Sequence, residues 1–138
     1  LSPSLKDVTK EQELEWYNYI IKSDSDIVFA IVSKKEKKYI GNCGFHKINF
    51  DERSCEFGIF IGEKSYWDRG FGSDVIDSVL KFATVELKLN KLKLNVYEYN
   101  HRAIKVYKNF GFFVVDILKN HHFYDGRYWD TFVMEYKK

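Results

Sequence analysis

The sequence contains little of what marks disordered, secreted or nucleic-acid-binding chains. It has one proline and eight glycines in 138 residues, so no stretch has the composition of a disordered linker. Lysine and arginine (22) barely exceed aspartate and glutamate (20), and this balance disfavours a dedicated nucleic-acid binder. There is neither a signal peptide nor an apolar run long enough to cross a bilayer. We therefore expect a cytoplasmic protein with no membrane partner.

Cysteine is also scarce. The two cysteines, Cys43 and Cys55, cannot build a disulfide framework or a zinc site. We expect buried free thiols, although neighbouring strands could place the two opposite one another. Hydrophobic residues make up 45% of the chain, which is enough for one core, so residues 1–138 are predicted to form a single domain. The chain begins with Leu1 rather than methionine, which leads us to expect a missing N-terminal segment.

The first half of the chain predicts one helix followed by three strands. Thr9 and Gln12 have capping-box spacing, and four apolar residues then recur at helical intervals: Leu14, Tyr17, Ile20 and Ile21. The runs rich in β-branched and aromatic residues that follow predict strands over Ile27–Ser33, Tyr39–Ile48 and Ser54–Ile61. The basic run Lys34–Lys38 separates the first two strands and indicates an exposed turn. Gly41 and Gly44 indicate a bulge or the close approach of another backbone.

The second half predicts a helix, a strand, a short helix and two strands. From Asp74 onwards, one helical face carries Ile76, Val79, Leu80, Ala83 and Leu87. Lys91–Tyr97 alternates as a strand, and Asn100 can cap a short helix that ends at Gly111. An Asp125-Gly126 turn joins two final strands, Phe112–Tyr124 and Tyr128–Tyr136. This order predicts an α+β (mixed α/β) domain with a largely antiparallel sheet.

The glycines of Arg69-Gly70-Phe71-Gly72 lie between a predicted strand and a predicted helix. Without a Cβ atom, Gly70 and Gly72 let backbone N–H groups approach a ligand, and the helix N-terminus favours an anion there. Arg69 could add a bidentate contact to phosphate. A Walker A loop is excluded because no Gly-Lys-Ser/Thr ending is present, and a dinucleotide fingerprint would need glycine where the chain has Val75. A plain turn before a helix remains the alternative.

A second motif begins at Asn100. At helical spacing, Asn100, Ala103 and Tyr107 project from one side of the short helix, whose start follows the end of a strand. A small Ala103 allows a ligand to pass close to the helix, and a tyrosine hydroxyl in a cleft can act as a general acid. The helix also has an inward apolar face: Ala103, Ile104, Tyr107 and Phe110. The alternative is therefore that Tyr107 is a core aromatic residue with a solvated hydroxyl.

Together the two motifs resemble the GNAT (Gcn5-related) N-acetyltransferase superfamily. Its pyrophosphate loop, Gln/Arg-x-x-Gly-x-Gly/Ala, is similar to Trp67–Gly72, with Trp67 in the first position. Its second hallmark is similar to Asn100-x-x-Ala103-x-x-x-Tyr107-x-x-x-Gly111-Phe112. Three segments resemble the branch of ribosomal-protein N-terminal and spermidine acetyltransferases: Tyr66–Gly70, Cys55–Ile59, and Asp125–Asp130 with Met134. The resemblance implies an acyl-CoA N-acyltransferase-like fold, a twisted sheet flanked by helices, from which this chain would lack the first strand and helix.

The resemblance implies acetyl-coenzyme A as the donor and direct transfer of its acetyl group to a primary amine. The acceptor would be a small amine such as a polyamine, or a peptide N-terminus. The residues expected to contact the cofactor are Phe60, Ile61, Trp67, Asp68, Arg69, Gly70, Phe71, Gly72, Ser73, Asn95, Asn100, Ala103 and Tyr107.

In this mechanism Tyr107 would protonate the sulfur of coenzyme A, and Glu56 is the leading candidate for the base that deprotonates the amine. An exposed or cross-strand-paired carboxylate is the alternative for Glu56, and His46 is a second candidate base. Weaker candidates are Glu98, His121 and His122. Neighbouring histidines on a strand point to opposite faces, so we expect no metal site.

Two further classes of function compete with an enzyme. A regulatory or interaction module could bind the cofactor on the same fold without catalysis, but such a module would not need both Tyr107 and Glu56. A nucleic-acid binder could use Lys34–Lys38 and Lys88–Lys93, yet the balanced charge disfavours it. A homodimer formed through the last strands is a further open expectation.

Overall fold

The computed structural model describes residues 14–18, 25–33, 36–61 and 71–138. Seven strands and two α-helices lie in this part of the chain, and a π-helical turn, Phe82–Glu86, extends the first helix. The strands are β1 (Leu14–Asn18), β2 (Ile27–Ser33), β3 (Lys38–Asn49), β4 (Ser54–Ile61), β5 (Lys91–Tyr97), β6 (Phe113–Tyr124) and β7 (Arg127–Lys137), and the helices are α1 (Phe71–Lys81) and α2 (His101–Asn109).

The described strands form one sheet in the order β1-β2-β3-β4-β5-β7-β6. Only β4 and β5 run parallel, because α1 crosses between them, whereas every other neighbouring pair is antiparallel. The predicted fold class, a mixed α/β domain with a largely antiparallel sheet, is therefore confirmed. The bounds predicted for the strands β2, β4 and β5 are those observed.

The helix predicted from the spacing of Leu14 and Tyr17 is wrong for this segment. Leu14–Asn18 is a strand that pairs antiparallel with β2, in register from Leu14 opposite Ser33 to Asn18 opposite Phe29. The segment is short and contains a tryptophan and a tyrosine, both favoured in strands, and an available sheet edge outweighs weak helical periodicity. Thr9, Gln12, Ile20 and Ile21 lie outside the described residues.

Both glycines singled out in β3 have the predicted roles. Ile31 pairs with Gly41 but Val32 pairs with Tyr39, so β3 carries one extra residue, Ile40, at a bulge beside Gly41. At Gly44, an added Cβ would lie 3.0 Å from the carbonyl oxygen of Ile27. The adjoining turn includes Lys37, at a φ of 53°. Of the basic run, Lys34 and Lys35 lie outside the described residues.

The two faces of the sheet differ in what covers them. We call the face that carries Leu92, Leu94 and Val96 the helix face, because these buried residues share one core cluster with residues of α1 and α2. The face that carries Lys93, Asn95 and Tyr97, all exposed, is called the opposite face. Aromatic rings fill the core on the helix face, where Phe82 contacts Phe29 and Phe45 at centroid distances of 5.7 and 6.0 Å.

The two cysteines are free and buried, as predicted. They are not cross-strand partners, since Cys43 lies opposite Ile59 and Cys55 lies opposite Leu92. Burial raises the pKa of the Cys55 thiol to about 12 and raises the pKa of Cys43 further. Both thiols therefore remain protonated at neutral pH and act as small core residues.

Candidate active site

The parallel strands β4 and β5 separate soon after they begin. Their pairing covers only Ser54–Glu56 with Lys91–Lys93. Beyond Glu56, β4 continues to Ile61 with β3 on its other side, while β5 continues to Tyr97 beside β7. We call the opening between these diverging ends the wedge. Within the described strands, the edges of β4 and β5 that face the wedge have no strand partner, so their backbone N–H and C=O groups border it.

The helix N-terminus next to β4 belongs to the predicted pyrophosphate loop. Helix α1 begins at Phe71, so Phe71, Gly72 and Ser73 contribute the first backbone N–H groups of the helix, which have no partner inside it. The other loop residues singled out, Trp67, Asp68, Arg69 and Gly70, lie outside the described residues. The backbone of the two β4 candidates, Phe60 and Ile61, ends the strand that leads to this loop.

Asn100 caps α2, as predicted. Its side-chain oxygen accepts a hydrogen bond from the backbone N–H of Ala103 at 3.2 Å. This cap uses only the oxygen, so the carboxamide nitrogen remains a donor for a ligand. Gly111 ends the helix region with a φ of 99°, a conformation that favours glycine. Asn95, the candidate cofactor contact on β5, is exposed on the opposite face. Ala103, the candidate on α2, packs against the core.

Tyr107 lies on the helix face. Its side chain is 7% exposed, and its ring contacts Phe112 at a centroid distance of 5.6 Å. Burial raises the pKa of its hydroxyl to about 12, so the phenol holds its proton throughout the neutral range. Both interpretations of this residue persist: Tyr107 is part of the core, and it also carries a protonated, largely desolvated hydroxyl.

The two candidate bases are neighbours on the opposite face. Glu56 pairs with Lys93 on β5 and with His46 on β3, at the last paired position before the wedge. Its side chain is 48% exposed, and one carboxylate oxygen lies 3.3 Å from Nζ of Lys47. The Nδ1 atom of His46 lies 3.5 Å from a carboxylate oxygen of Asp26. Glu56 thus fits both interpretations. It is paired across the strands with a lysine, as expected of a structural carboxylate, and it lies at the closed end of the wedge, as expected of a base.

The three weaker candidates have structural partners. Glu98 accepts a hydrogen bond from the backbone N–H of Asp130 at 2.8 Å. The Nδ1 atom of His121 lies 3.0 Å from the hydroxyl of Thr131, and the ring of His122 stacks on Tyr97. The two histidines were expected to point to opposite faces of the sheet. Their partners Thr131 and Tyr97 are instead cross-strand neighbours on one face, because β6 has a bulge between Leu118 and His122. Within the described ranges, no group of three His, Cys, Asp or Glu side chains is placed to hold a metal ion.

Sequence reasoning missed a cluster of rings at the end of β5. Four rings lie nearly parallel to one another, and Trp129 packs edge-on against Tyr99 at 5.0 Å. We call this set the aromatic stack: Tyr97, Tyr99, His122, Tyr124 and Trp129. The sequence shows rings at alternate positions in Tyr97-x-Tyr99 and in His122-x-Tyr124. It does not show that these two distant segments lie side by side, because that depends on the order of the strands in the sheet.

Comparison with protein families identifies the class. The model of the acetyltransferase (GNAT) domain matches residues 3–113. This match covers most of the 138 residues, so the chain belongs to the GNAT acetyltransferase family.

Individual relatives agree with this family. The spermidine N(1)-acetyltransferase of Vibrio cholerae is 32% identical over 117 residues, which are 85% of this chain and 66% of that protein. An uncharacterized N-acetyltransferase, p20 of Bacillus licheniformis, is 26% identical over 80% of this chain and 61% of its own length. The crystal structure of the Vibrio cholerae spermidine N-acetyltransferase in complex with CoA and spermine has a TM-score of 0.74 at 29% identity, covering 83% of this chain and 66% of that one.

The similarity covers only part of each relative. The chain spans only 61% and 66% of the length of the two curated relatives named above. Among the helices of the described segments, none is both long and apolar enough to cross a membrane.

Proposed function

We propose that this protein is an N-acetyltransferase that transfers the acetyl group of acetyl-coenzyme A to a primary amine. The observation that carries the proposal is the wedge between β4 and β5, with Glu56 at its closed end on the opposite face of the sheet. Tyr107, the proposed acid, is buried on the helix face. Membership of the GNAT family supports the same activity.

The described residues fit a coenzyme A molecule in two respects. The unpaired edges of β4 and β5 offer backbone groups to the amides of an extended pantetheine arm, as a neighbouring strand would. The N-terminus of α1, with Gly72 as its second residue, offers N–H groups and the positive end of a helix dipole to the pyrophosphate. Asn100 and Ala103 at the start of α2 are proposed to flank the same ligand.

Proton movements are assigned to two residues. When bound, acetyl-coenzyme A supplies an activated thioester and a thiol leaving group. The acceptor amine is protonated at neutral pH, and the Glu56 carboxylate is proposed to take one proton from it, directly or through water. Burial keeps the pKa of the Tyr107 hydroxyl near 12, so the phenol is protonated at neutral pH. It is proposed to donate this proton to the departing sulfur and to regain one from the attacking nitrogen, which loses its second proton as the amide forms. A backbone N–H at the β4 edge would polarise the thioester oxygen.

We further propose a polyamine as the acceptor, with a peptide N-terminus as the second candidate. The relative with 32% identity is a spermidine N(1)-acetyltransferase, and a similar chain was crystallised with spermine. Glu56 on the opposite face, whose carboxylate is paired with Lys47, is the acidic group proposed to receive the cationic amine.

Self-association through the last strands is also proposed. Strand β6 ends the order of the described sheet, and its exposed apolar side chains include Phe113, Val115 and Ile117. An exposed edge strand of this kind is a site where a second chain can pair or pack. A dodecameric structure of the Vibrio cholerae spermidine N-acetyltransferase, at a TM-score of 0.75, shows that a protein of this fold assembles.

The activity is tested by measuring the release of coenzyme A thiol from acetyl-coenzyme A with a panel of amines. The panel contains spermidine, spermine, a monoamine, an amino sugar and a peptide with a free N-terminus, and a reaction without acceptor is the control. We expect turnover above the control with at least one polyamine. A chain that binds acetyl-coenzyme A in calorimetry but releases no thiol with any amine would instead be a cofactor-binding module.

A further inference from the structure

The rings of the aromatic stack present an extended π surface on the opposite face of the sheet. Tyr97 and His122 stack with centroids 3.8 Å apart and planes within 10°, and Tyr99 stacks on Tyr124 at 4.9 Å. The two pairs are adjacent, because the ring centroids of Tyr97 and Tyr99 lie 5.6 Å apart with an interplanar angle of 16°. Packing has not removed these rings from solvent, because Tyr97 is 40% exposed and Tyr124 is 54% exposed.

A bulge in β6 builds this arrangement. Leu118 pairs with Thr131 and His122 pairs with Trp129, so three residues of β6 lie opposite Asp130 alone. The carboxylate of Asp130 accepts a hydrogen bond from the backbone N–H of Asn120 at 3.0 Å and forms an ion pair with Lys119 at 3.2 Å. The hydrogen bond from Asn120 is the main cause of a lowered pKa at Asp130. The bulge is thus held in place by an ionised carboxylate.

The stack already holds one cation of the protein itself. The guanidinium carbon of Arg127 lies 3.8 Å from the centre of the Trp129 ring, within the range of a cation–π contact. The indole N–H of Trp129 donates to the carbonyl oxygen of Tyr124 at 2.7 Å, which fixes the ring in this position. A ring system that accepts a guanidinium at one end has the quadrupole needed to accept an ammonium group at another.

The stack also lies where the second charge of a long acceptor would fall. Tyr97 and Glu56 share the opposite face, and Glu56 pairs with Lys93, which precedes Tyr97 by four residues on β5. Four residues of strand span about 13 Å. An extended triamine or tetraamine can cover this distance, whereas a short monoamine cannot. Glu98, anchored by its hydrogen bond to Asp130, adds a carboxylate between Tyr97 and Tyr99 in the chain.

We propose that the aromatic stack binds an ammonium group of the acceptor remote from the reacting nitrogen, so that Tyr97 and Tyr99 determine the preference for polyamines over monoamines. The inference rests on the proposed function, since it assumes that an amine is acetylated near Glu56. It assigns to the rings a role in binding and none in proton transfer.

The test compares Tyr99→Leu and Tyr97→Leu with Tyr99→Phe and with Tyr39→Leu. Tyr99→Phe keeps the ring, and Tyr39 is an exposed tyrosine on β3, distant in sequence from the stack. We expect each leucine variant in the stack to lower kcat/KM for spermidine by about tenfold, mainly through KM, because the loss of one cation–π contact is of that size. Values for n-butylamine should change by less than about twofold in every variant, and the Phe and Tyr39 variants should resemble the wild type.

Calorimetric binding of spermidine, without acetyl-coenzyme A, gives a second readout that does not need turnover. Weakened binding in the leucine variants, with normal binding in Tyr99→Phe, supports the proposal even if catalysis is slow. Equal losses for spermidine and n-butylamine, or unchanged spermidine binding in both leucine variants, would overturn it and leave the acetyltransferase activity standing. A wild-type protein that binds spermidine but acetylates no amine would instead overturn the proposed function. Thermal unfolding of each variant identifies losses that come from misfolding.

Discussion

Lys47 on β3 places its ammonium nitrogen 3.3 Å from a carboxylate oxygen of Glu56 on β4. Both side chains are substantially exposed, at 78% and 48%, so this ion pair contributes at most about 1 kcal/mol to stability. A contact this weak does not hold the carboxylate in place against a substrate cation. The pair therefore suits a carboxylate that exchanges one cation, Lys47, for another, the acceptor amine.

The first prediction concerns Glu56 as the base. Glu56→Gln should lower kcat by at least about tenfold, because the amide cannot accept a proton from the acceptor amine. Stability should change by less than about 1 kcal/mol. Steady-state kinetics with a saturating polyamine and urea unfolding measure the two quantities. Glu52→Gln, at an exposed residue of the β3–β4 turn, is the matched control, and an equal kcat in both variants would exclude Glu56.

The second prediction separates catalysis from packing at Tyr107. Tyr107→Phe keeps the ring that contacts Phe112 and removes only the hydroxyl, so kcat should fall by about tenfold or more while the affinity for acetyl-coenzyme A stays nearly unchanged. Tyr136→Phe is a close control, because the Tyr136 ring contacts the same Phe112, also at 5.6 Å. Similar kcat values in the two variants would leave Tyr107 a core residue only.

The sequence predicted most of the described elements because their signals are local. Alternation in Lys91–Tyr97, the cap at Asn100 and the glycine at Gly111 each depend on neighbouring residues, and all three agree with the structure. The segment Leu14–Asn18 was predicted wrongly because its conformation depends on pairing with residues of β2 that lie 11 to 19 positions further along the chain. The bulge in β6 was missed for the same reason, since Asp130 on β7 holds it.

The third prediction is an alkaline loss of stability caused by Tyr107. Burial raises the pKa of its hydroxyl from the ordinary 10.0 to about 12 in the folded chain. Below pH 10 both states hold the proton, so the contribution is intact. Between pH 10 and 12 only the unfolded state releases it, and the free energy of unfolding should fall by about 2 to 3 kcal/mol across this window. Urea unfolding at several pH values should show a smaller decrease for Tyr107→Phe, and parallel curves would contradict the prediction.

The fourth prediction tests the loop at the start of α1. Gly72→Val places a Cβ at the second residue of the helix, where the backbone is expected to meet the pyrophosphate, so binding of acetyl-coenzyme A should be lost. Calorimetry measures the affinity, and urea unfolding shows whether the variant is folded. Unchanged affinity in a folded variant would exclude this loop as the phosphate site.

The site itself was only partly predictable from the residue pattern. Asn100, Ala103 and Tyr107 share one short helix, so their proximity follows from helical spacing. That Glu56 and His46 are direct cross-strand neighbours depends on the register of β3 and β4, which no local signal determines. The aromatic stack needs three segments to meet, because β7 inserts between β5 and β6 in the sheet.

The last prediction uses a pair of glycines that lie directly opposite one another, Gly44 on β3 and Gly58 on β4. An added Cβ at Gly44 would lie 3.0 Å from the backbone oxygen of Ile27 and 3.1 Å from a ring nitrogen of His46. The histidine can rotate away, but the backbone of β2 cannot move without disturbing its pairing, so Gly44→Ala should destabilise the fold by about 1 to 3 kcal/mol. At Gly58 a Cβ meets no atom within 4 Å, and Gly58→Ala should leave stability unchanged or raise it by up to about 1 kcal/mol. Urea unfolding measures both, and equal effects at the two positions would mean that the hairpin of β2 and β3 adapts to the added methyl group.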